Sequence, residues 1–135
     1  MNLIEWEDKY SVKIKHIDEQ HKKLVGMINE LHTAMTKGQG RLVIDEILKK
    51  MTAYTVQHFK SEEVLFDQYG YPAAEKHKSE HASFVEKVTD FYGKFEAGKL
   101  FLSIEVMDFL SDWLVTHIVG SDKQYSVFLN SKGVD

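Results

Sequence analysis

Five histidines and two carboxylates in this 135-residue chain stand where their chemistry is unexpected. His77 and His81, in HKSEH (77–81), lie four apart, so on a helix both rings share one face. His58 and Glu62, in HFKSE (58–62), repeat that spacing, and His21 and His117 each fall on the apolar stripe of their own segment. Histidine is only a middling helix former, so propensity gives no reason for these placements. A buried ionisable group without a partner is costly, and six on apolar stripes call for a shared cause. Imidazole and carboxylate together are metal ligands. The set is too large for one tetrahedral zinc and suits two borderline metals bridged by carboxylates, with iron, manganese and zinc all open. Asp122 lies five residues after His117, beyond a strict same-face spacing. Gly120 and Ser121 intervene and could widen the turn, so spacing alone leaves Asp122 open.

Such a cluster needs elements that bring distant stretches to one level. Residues 1–17 show no clean period and read as an ordered arm, packed through Trp6, Tyr10, Val12, Ile14 and Ile17. Asp18 reads as a helix N-cap. Beyond it His21, Leu24, Val25, Ile28, Leu31 and Met35 recur at helical spacing until Lys37-Gly38-Gln39-Gly40 ends the run. A second stripe carries Ile44, Ile47, Leu48, Met51, Thr55, His58, Glu62 and Leu65. Gly70-Tyr71-Pro72 turns the chain into a third, of Ala74, His77, His81, Phe84, Val88, Phe91 and Phe95. The fourth is Val106, Phe109, Leu110, Trp113, Leu114 and His117. The expectation is an all-α, up-down-up-down four-helix bundle with an N-terminal arm, one domain over 1–135 with helices at about 18–37, 41–66, 72–95 and 101–119. In that topology the starts of helices one and three meet the ends of two and four. At 1.5 Å per residue, each polar stripe residue then lies within roughly 15 Å of one end of the bundle.

Bulk composition removes several classes. A net charge of −4 offers no basic stripe for nucleic acid. With no cysteine, disulfides, thiolate metal sites, cysteine nucleophiles and iron–sulfur clusters are excluded, and a reducing, cytoplasmic setting is the expectation. The opening MNLIEWEDKY lacks a basic region followed by an apolar run, so no signal peptide is expected. No apolar stretch approaches a membrane span, so no membrane role is expected. Pro72 is the only proline, which suits long helices.

DEQH (18–21), HFKSE (58–62), HKSEH (77–81) and HIVGSD (117–122), in that order across almost the whole chain, resemble the hemerythrin family in its single-domain bacterial form. The resemblance implies a non-haem di-iron site (Fe2+/Fe3+) that binds O2 reversibly, for storage, delivery or scavenging. It implies His77, His81 and His117 on one iron and His21 and His58 on the other. Glu62, Asp122 and a hydroxide or oxide would bridge them, which decides the Asp122 question in favour of ligation. The two-histidine iron would keep the open position, in an O2 pocket of Phe59, Trp113, Leu114 and Ile118, whose bland reading is core packing. Tyr125 would pack near the bridge.

Ferritin-like di-iron oxidases use about four glutamates and two histidines. A set rich in neutral imidazole favours carrying O2 over cleaving it, so the reading is a binder and not an enzyme, with weak peroxidase-type side activity at most. The competing readings are a di-iron peroxidase or nitric-oxide-handling enzyme, and an O2 or redox sensor acting with a separate partner. O2 is the expected ligand, and no protein partner is indicated. His16 and His32 read as partly exposed and non-ligating. Glu63 faces about 100° away from Glu62 and reads as surface, as does Gln20.

Overall fold

The arm without a period is tied down at both ends by hydrogen bonds to helices. In the computed structural model, which describes residues 3–38, 41–98 and 104–135, the Ile4 amide donates to Asn29 Oδ1 (2.9 Å) and Asn29 Nδ2 donates back to the Ile4 carbonyl (2.9 Å). Val12, Ile14 and Ile17 are wholly buried, and Ser126 Oγ donates to the Val12 carbonyl. The first helix, α1 (Lys15–Thr36), begins three residues before the expected 18. Asp18 is therefore not its N-cap: Ile14 precedes the first turn, and the Asp18 amide donates to the Ile14 carbonyl (2.9 Å). The Asp18 carboxylate instead reaches back out of the helix to the Val12 amide (2.8 Å) and the Ser11 hydroxyl (2.5 Å). The carboxylate thereby pins the arm to the first turn, where an acid also suits the helix dipole.

Helix α2 (Arg41–Tyr69) runs three residues past the expected 66. It closes with Gly70 at φ +69 and the Tyr71 amide donating to the Phe66 carbonyl (3.0 Å), with the Phe66 and Tyr71 rings 5.1 Å apart. Glycine takes the left-handed conformation at no steric cost, and an apolar contact across the stop is usual for this motif. The tight stop sets the start of α3 (Ala74–Glu96) beside the end of α2. The fourth helix, α4 (Ile104–His117), is described from 104. Its expected start at 101, Gln39 and Gly40 of the first stop, and the Val106 side chain lie outside the described residues.

The fourth helix, expected to run to about 119, ends as an α-helix at His117, and a further helix not named from the sequence follows it. After His117 the backbone widens into a π-helical turn, Ile118–Asp122, and continues as a fifth helix, α5 (Lys123–Ser131). No strand forms among the described residues.

His21 near the start of α1, His58 and Glu62 late in α2, His77 and His81 early in α3 and His117 at the end of α4 lie in one cluster, which requires successive helices to run antiparallel. The four-helix bundle is thus as expected. One large apolar cluster, including Leu24, Ile28, Leu31, Leu48, Met51, Phe84, Val88, Phe95, Met107 and Leu110, fills the bundle beyond the histidines and takes in Ile4 and Tyr10 of the arm. A smaller one, Val12, Ile14, Ile17, Phe66, Tyr71, Tyr125 and Leu129, closes the arm end.

Candidate metal centre

Between the two apolar clusters the helices bury His21, His58, Glu62, His77, His81, His117 and Asp122, none more than 6% exposed. A ligating atom from each of Glu62, His77, His81, His117 and Asp122 lies within 4.8 Å of all the others, and His21, His58 and Glu62 form a second such group.

The two carboxylates face both ways. Glu62 Oε1 points to His81 Nε2 (3.0 Å) and His77 Nε2 (3.9 Å), and Asp122 Oδ1 to Nε2 of His77 (3.0 Å) and His117 (3.1 Å). Glu62 Oε2 points to Nε2 of His21 and His58, each at 3.6 Å, and Asp122 Oδ2 to His21 Nε2 (3.1 Å). Each carboxylate thus offers one oxygen to a three-histidine group and the other to a two-histidine group.

Asp122 reaches this point because of the π turn. Extra residues per turn bring a side chain five positions on back beneath His117, which an α-helix would not do. Gly120 and Ser121 fall inside the turn, as the sequence allowed.

Among the described residues, Nε2 of His21, His77, His81 and His117, Glu62 Oε1 and both Asp122 oxygens are buried without a hydrogen-bond partner, although several lie about 3 Å apart. Buried polar groups are otherwise almost always paired, and seven orphans aimed at one region are what a pair of cations would satisfy. The donors fit two ions of the borderline class.

Left to titrate against one another, the same groups hold their charges apart. Burial pushes His21 down, but the Asp122 and Glu62 carboxylates outweigh it and raise the imidazole to about 9. Burial wins at His58, which falls to about 4. Burial and the neighbouring Asp122 push Glu62 up, yet the surrounding imidazoles hold it well below the usual carboxylate range. Burial likewise opposes ionisation of Asp122, and His117, His21 and His77 override it. Burial, with the Glu62 and Asp122 charges, raises Tyr125 well above its ordinary value, so its phenol keeps the proton and donates it to Glu62 Oε2. Tyr125 therefore touches the site directly, closer than packing near the bridge would require.

The far nitrogens of three rings have partners that the sequence reading placed at the surface or did not single out. His58 Nδ1 lies 2.6 Å from Gln20 Oε1, His81 Nδ1 3.0 Å from Glu63 Oε2, and His117 Nδ1 3.1 Å from Glu80 Oε2. Glu63 and Gln20 are thus not simple surface residues, and Glu80 had no role assigned. A wheel drawn for one helix shows where Glu63 points but not that α3 arrives there. The signal available was adjacency: each partner sits beside a site residue in sequence. His16 is exposed and His32 half-buried, and neither joins the cluster.

Of the expected O2 pocket, Phe59, Trp113 and Leu114 line an apolar cavity of about 20 Å3 with Leu24, Ile28, Met51, Thr55, Phe84 and Leu110. Ile118 is buried in the same core but not on that cavity. The Phe59 ring stacks on His81 (3.8 Å, 3°) and Trp113 on His117 (4.4 Å, 13°), so these two wall the three-histidine side. Leu24 and Thr55, each three residues from a histidine of the other group, were read only as members of their helical stripes and not as lining a pocket.

A family profile, the hemerythrin HHE cation binding domain, matches residues 12–128. The chain belongs to the hemerythrin family. Bacteriohemerythrin of Stenotrophomonas maltophilia (strain R551-3) is 37% identical over 126 residues, 93% of this chain and 81% of that one. Bacteriohemerythrin of Methylococcus capsulatus (strain Bath) is 35% identical over 132 residues, 97% of this chain and all of that one. A crystal structure of wild-type hemerythrin superposes with a TM-score of 0.88 at 35% identity, covering 92% of this chain and 95% of its own. The resemblance carried by the four motifs thus extends to the whole hemerythrin fold.

Proposed function

We propose that this protein binds O2 reversibly at a non-haem di-iron centre held by His21, His58, Glu62, His77, His81, His117 and Asp122. Membership of the hemerythrin family and the metal-ready cluster support a di-iron oxygen-binding protein. The observation that carries the reading is the two-faced placement of Glu62 and Asp122 between unequal imidazole groups. Three imidazoles and two carboxylate oxygens would hold one ion; two imidazoles and two carboxylate oxygens would hold the other, which would have one protein ligand fewer and so room for O2. When bound, the ferrous pair supplies the two electrons that O2 takes up and returns.

The chain's own residues do the rest. Glu62 and Asp122, both wholly buried, would balance the cations' charge. Tyr125 holds Glu62 in place through its hydroxyl. The apolar walls around Phe59 and Leu114 exclude the water and stray protons that would make release of oxygen irreversible. The hydroxyl of Thr55, the one hydrogen-bonding side chain on that cavity apart from the Trp113 indole, donates to the Met51 carbonyl (2.7 Å). The cavity therefore has no general acid to offer, which favours a carrier over a peroxidase or a nitric-oxide-handling enzyme. No helix among the described residues is long and apolar enough to cross a membrane. The absence of cysteine favours a cytoplasmic location.

Iron analysis and an anaerobic optical titration test this. The expected result is two irons per chain and a visible ligand-to-iron charge-transfer band that rises with O2 and falls under argon over repeated cycles. Bleaching after one exposure, or sustained turnover with peroxide, would overturn the carrier reading.

A further inference from the structure

The two halves of the centre differ in what stands behind their histidines. Glu63 and Glu80 place carboxylates at Nδ1 of His81 and His117 (3.0 and 3.1 Å), both in the three-histidine group. In the two-histidine group His58 has the neutral amide of Gln20 at Nδ1 (2.6 Å), and His21 Nδ1 is buried with no partner among the described residues. A carboxylate accepting Nδ1–H fixes the tautomer, aims Nε2 at the metal and makes it a stronger donor, whereas an amide fixes direction while adding little charge. Glu80 also accepts from Ser121 Oγ (2.6 Å), and Ser121 belongs to the π turn that presents Asp122. One carboxylate thus steadies two donors of the same position, His117 and Asp122. Three imidazoles and two carboxylate oxygens converge on that position, and two imidazoles and two carboxylate oxygens on the other.

We propose that Glu63 and Glu80 are positioning residues that make the His77–His81–His117 position fill first, so that the centre assembles in order through a one-metal form. This rests on the two-metal reading given above. Each carboxylate contributes about 10- to 100-fold to affinity at its own position. The two-histidine position takes its ion second, when Glu62 and Asp122 are already oriented by the first.

Titration of the metal-free full chain with Co2+, read by native mass spectrometry and by the visible d–d bands, tests the order. The expected course is accumulation of a one-metal species near one equivalent, with a single spectrum, before the two-metal species forms. That first step should survive in His58→Gln and be lost in His117→Gln. Glu63→Gln and Glu80→Gln should each weaken the first step by about 10- to 100-fold and the second far less. Gln20→Glu should tighten the second step. Both glutamates are about one-third exposed, so the metal-free variants are expected to keep the parent's thermal midpoint, which checks folding separately. A wild-type titration with no excess of the one-metal species, or variants that weaken both steps equally, would overturn the ordered assembly while leaving a two-metal centre intact. Failure of the chain to hold two Co2+ at all would bring down the di-iron reading with it.

Discussion

The half of the bundle beyond the histidines and the half that holds them use the same helices and the same periodicity to bury opposite kinds of residue. In the first, α1 to α4 enclose Leu31, Ala34, Leu48, Phe95 and Met107. In the second they enclose five imidazoles and two carboxylates, then cap them with Phe66, Tyr71 and Tyr125. Apolar burial stabilises by itself, at about 25 cal/mol per Å2 removed from water. Burial of orphaned polar atoms costs free energy until something pairs them. One end of the molecule therefore holds together unaided, and the other has its full stability only when loaded.

Chelation should give the largest effect and the sharpest test of that contrast. Metal present at about a thousand times its dissociation constant stabilises by about 4 kcal/mol, or roughly 10–20 °C in a domain of this size. Calorimetry should show that loss on metal removal. Hydrogen exchange should quicken around His58, His77 and His117 while amides near Leu31 and Leu48 keep their protection; uniform quickening would erase the distinction.

Leu31→Ala strikes the other end. It should cost about 2–5 kcal/mol in denaturant unfolding, as for a buried leucine in a packed core, and leave two metals per chain.

A smaller effect is expected from Tyr125→Phe, which removes the hydroxyl on Glu62 and little volume. Loss of a hydrogen bond to a buried charge corresponds to about 1–3 kcal/mol. The optical band of the iron-loaded protein should shift with it, whereas a mere packing role for the ring would leave the band in place.

His16→Ala should do almost nothing. The ring is exposed and outside the cluster, so a change within about 0.5 kcal/mol and unchanged metal content are expected.

The four helices were legible because hydrophobic stripes repeat at helical spacing, and the ligand candidates because histidine and glutamate interrupt those stripes. The start of α1 was misplaced because Asp18 has the chemistry of a cap, while the hydrogen bonds that use it run backwards to Ser11 and Val12. α5 was missed because the π turn at Ile118–Asp122 breaks the period that would have announced it. The roles of Gln20, Glu63 and Glu80 depend on contacts between different helices, which no single-helix pattern records.

By itself the sequence determined which side chains would be buried and at which end of the bundle the polar ones would gather, because periodicity and helix direction suffice for both. Spacing left Asp122 open and only the resemblance pointed it inward; tertiary structure alone decided that a widened turn carries it there, at what distances each carboxylate meets the two histidine groups, and that among the described residues only the three-histidine group has acids behind it. Those outcomes depend on distances of a few ångströms between residues far apart in the chain, set by how the helices pack and where one turn widens.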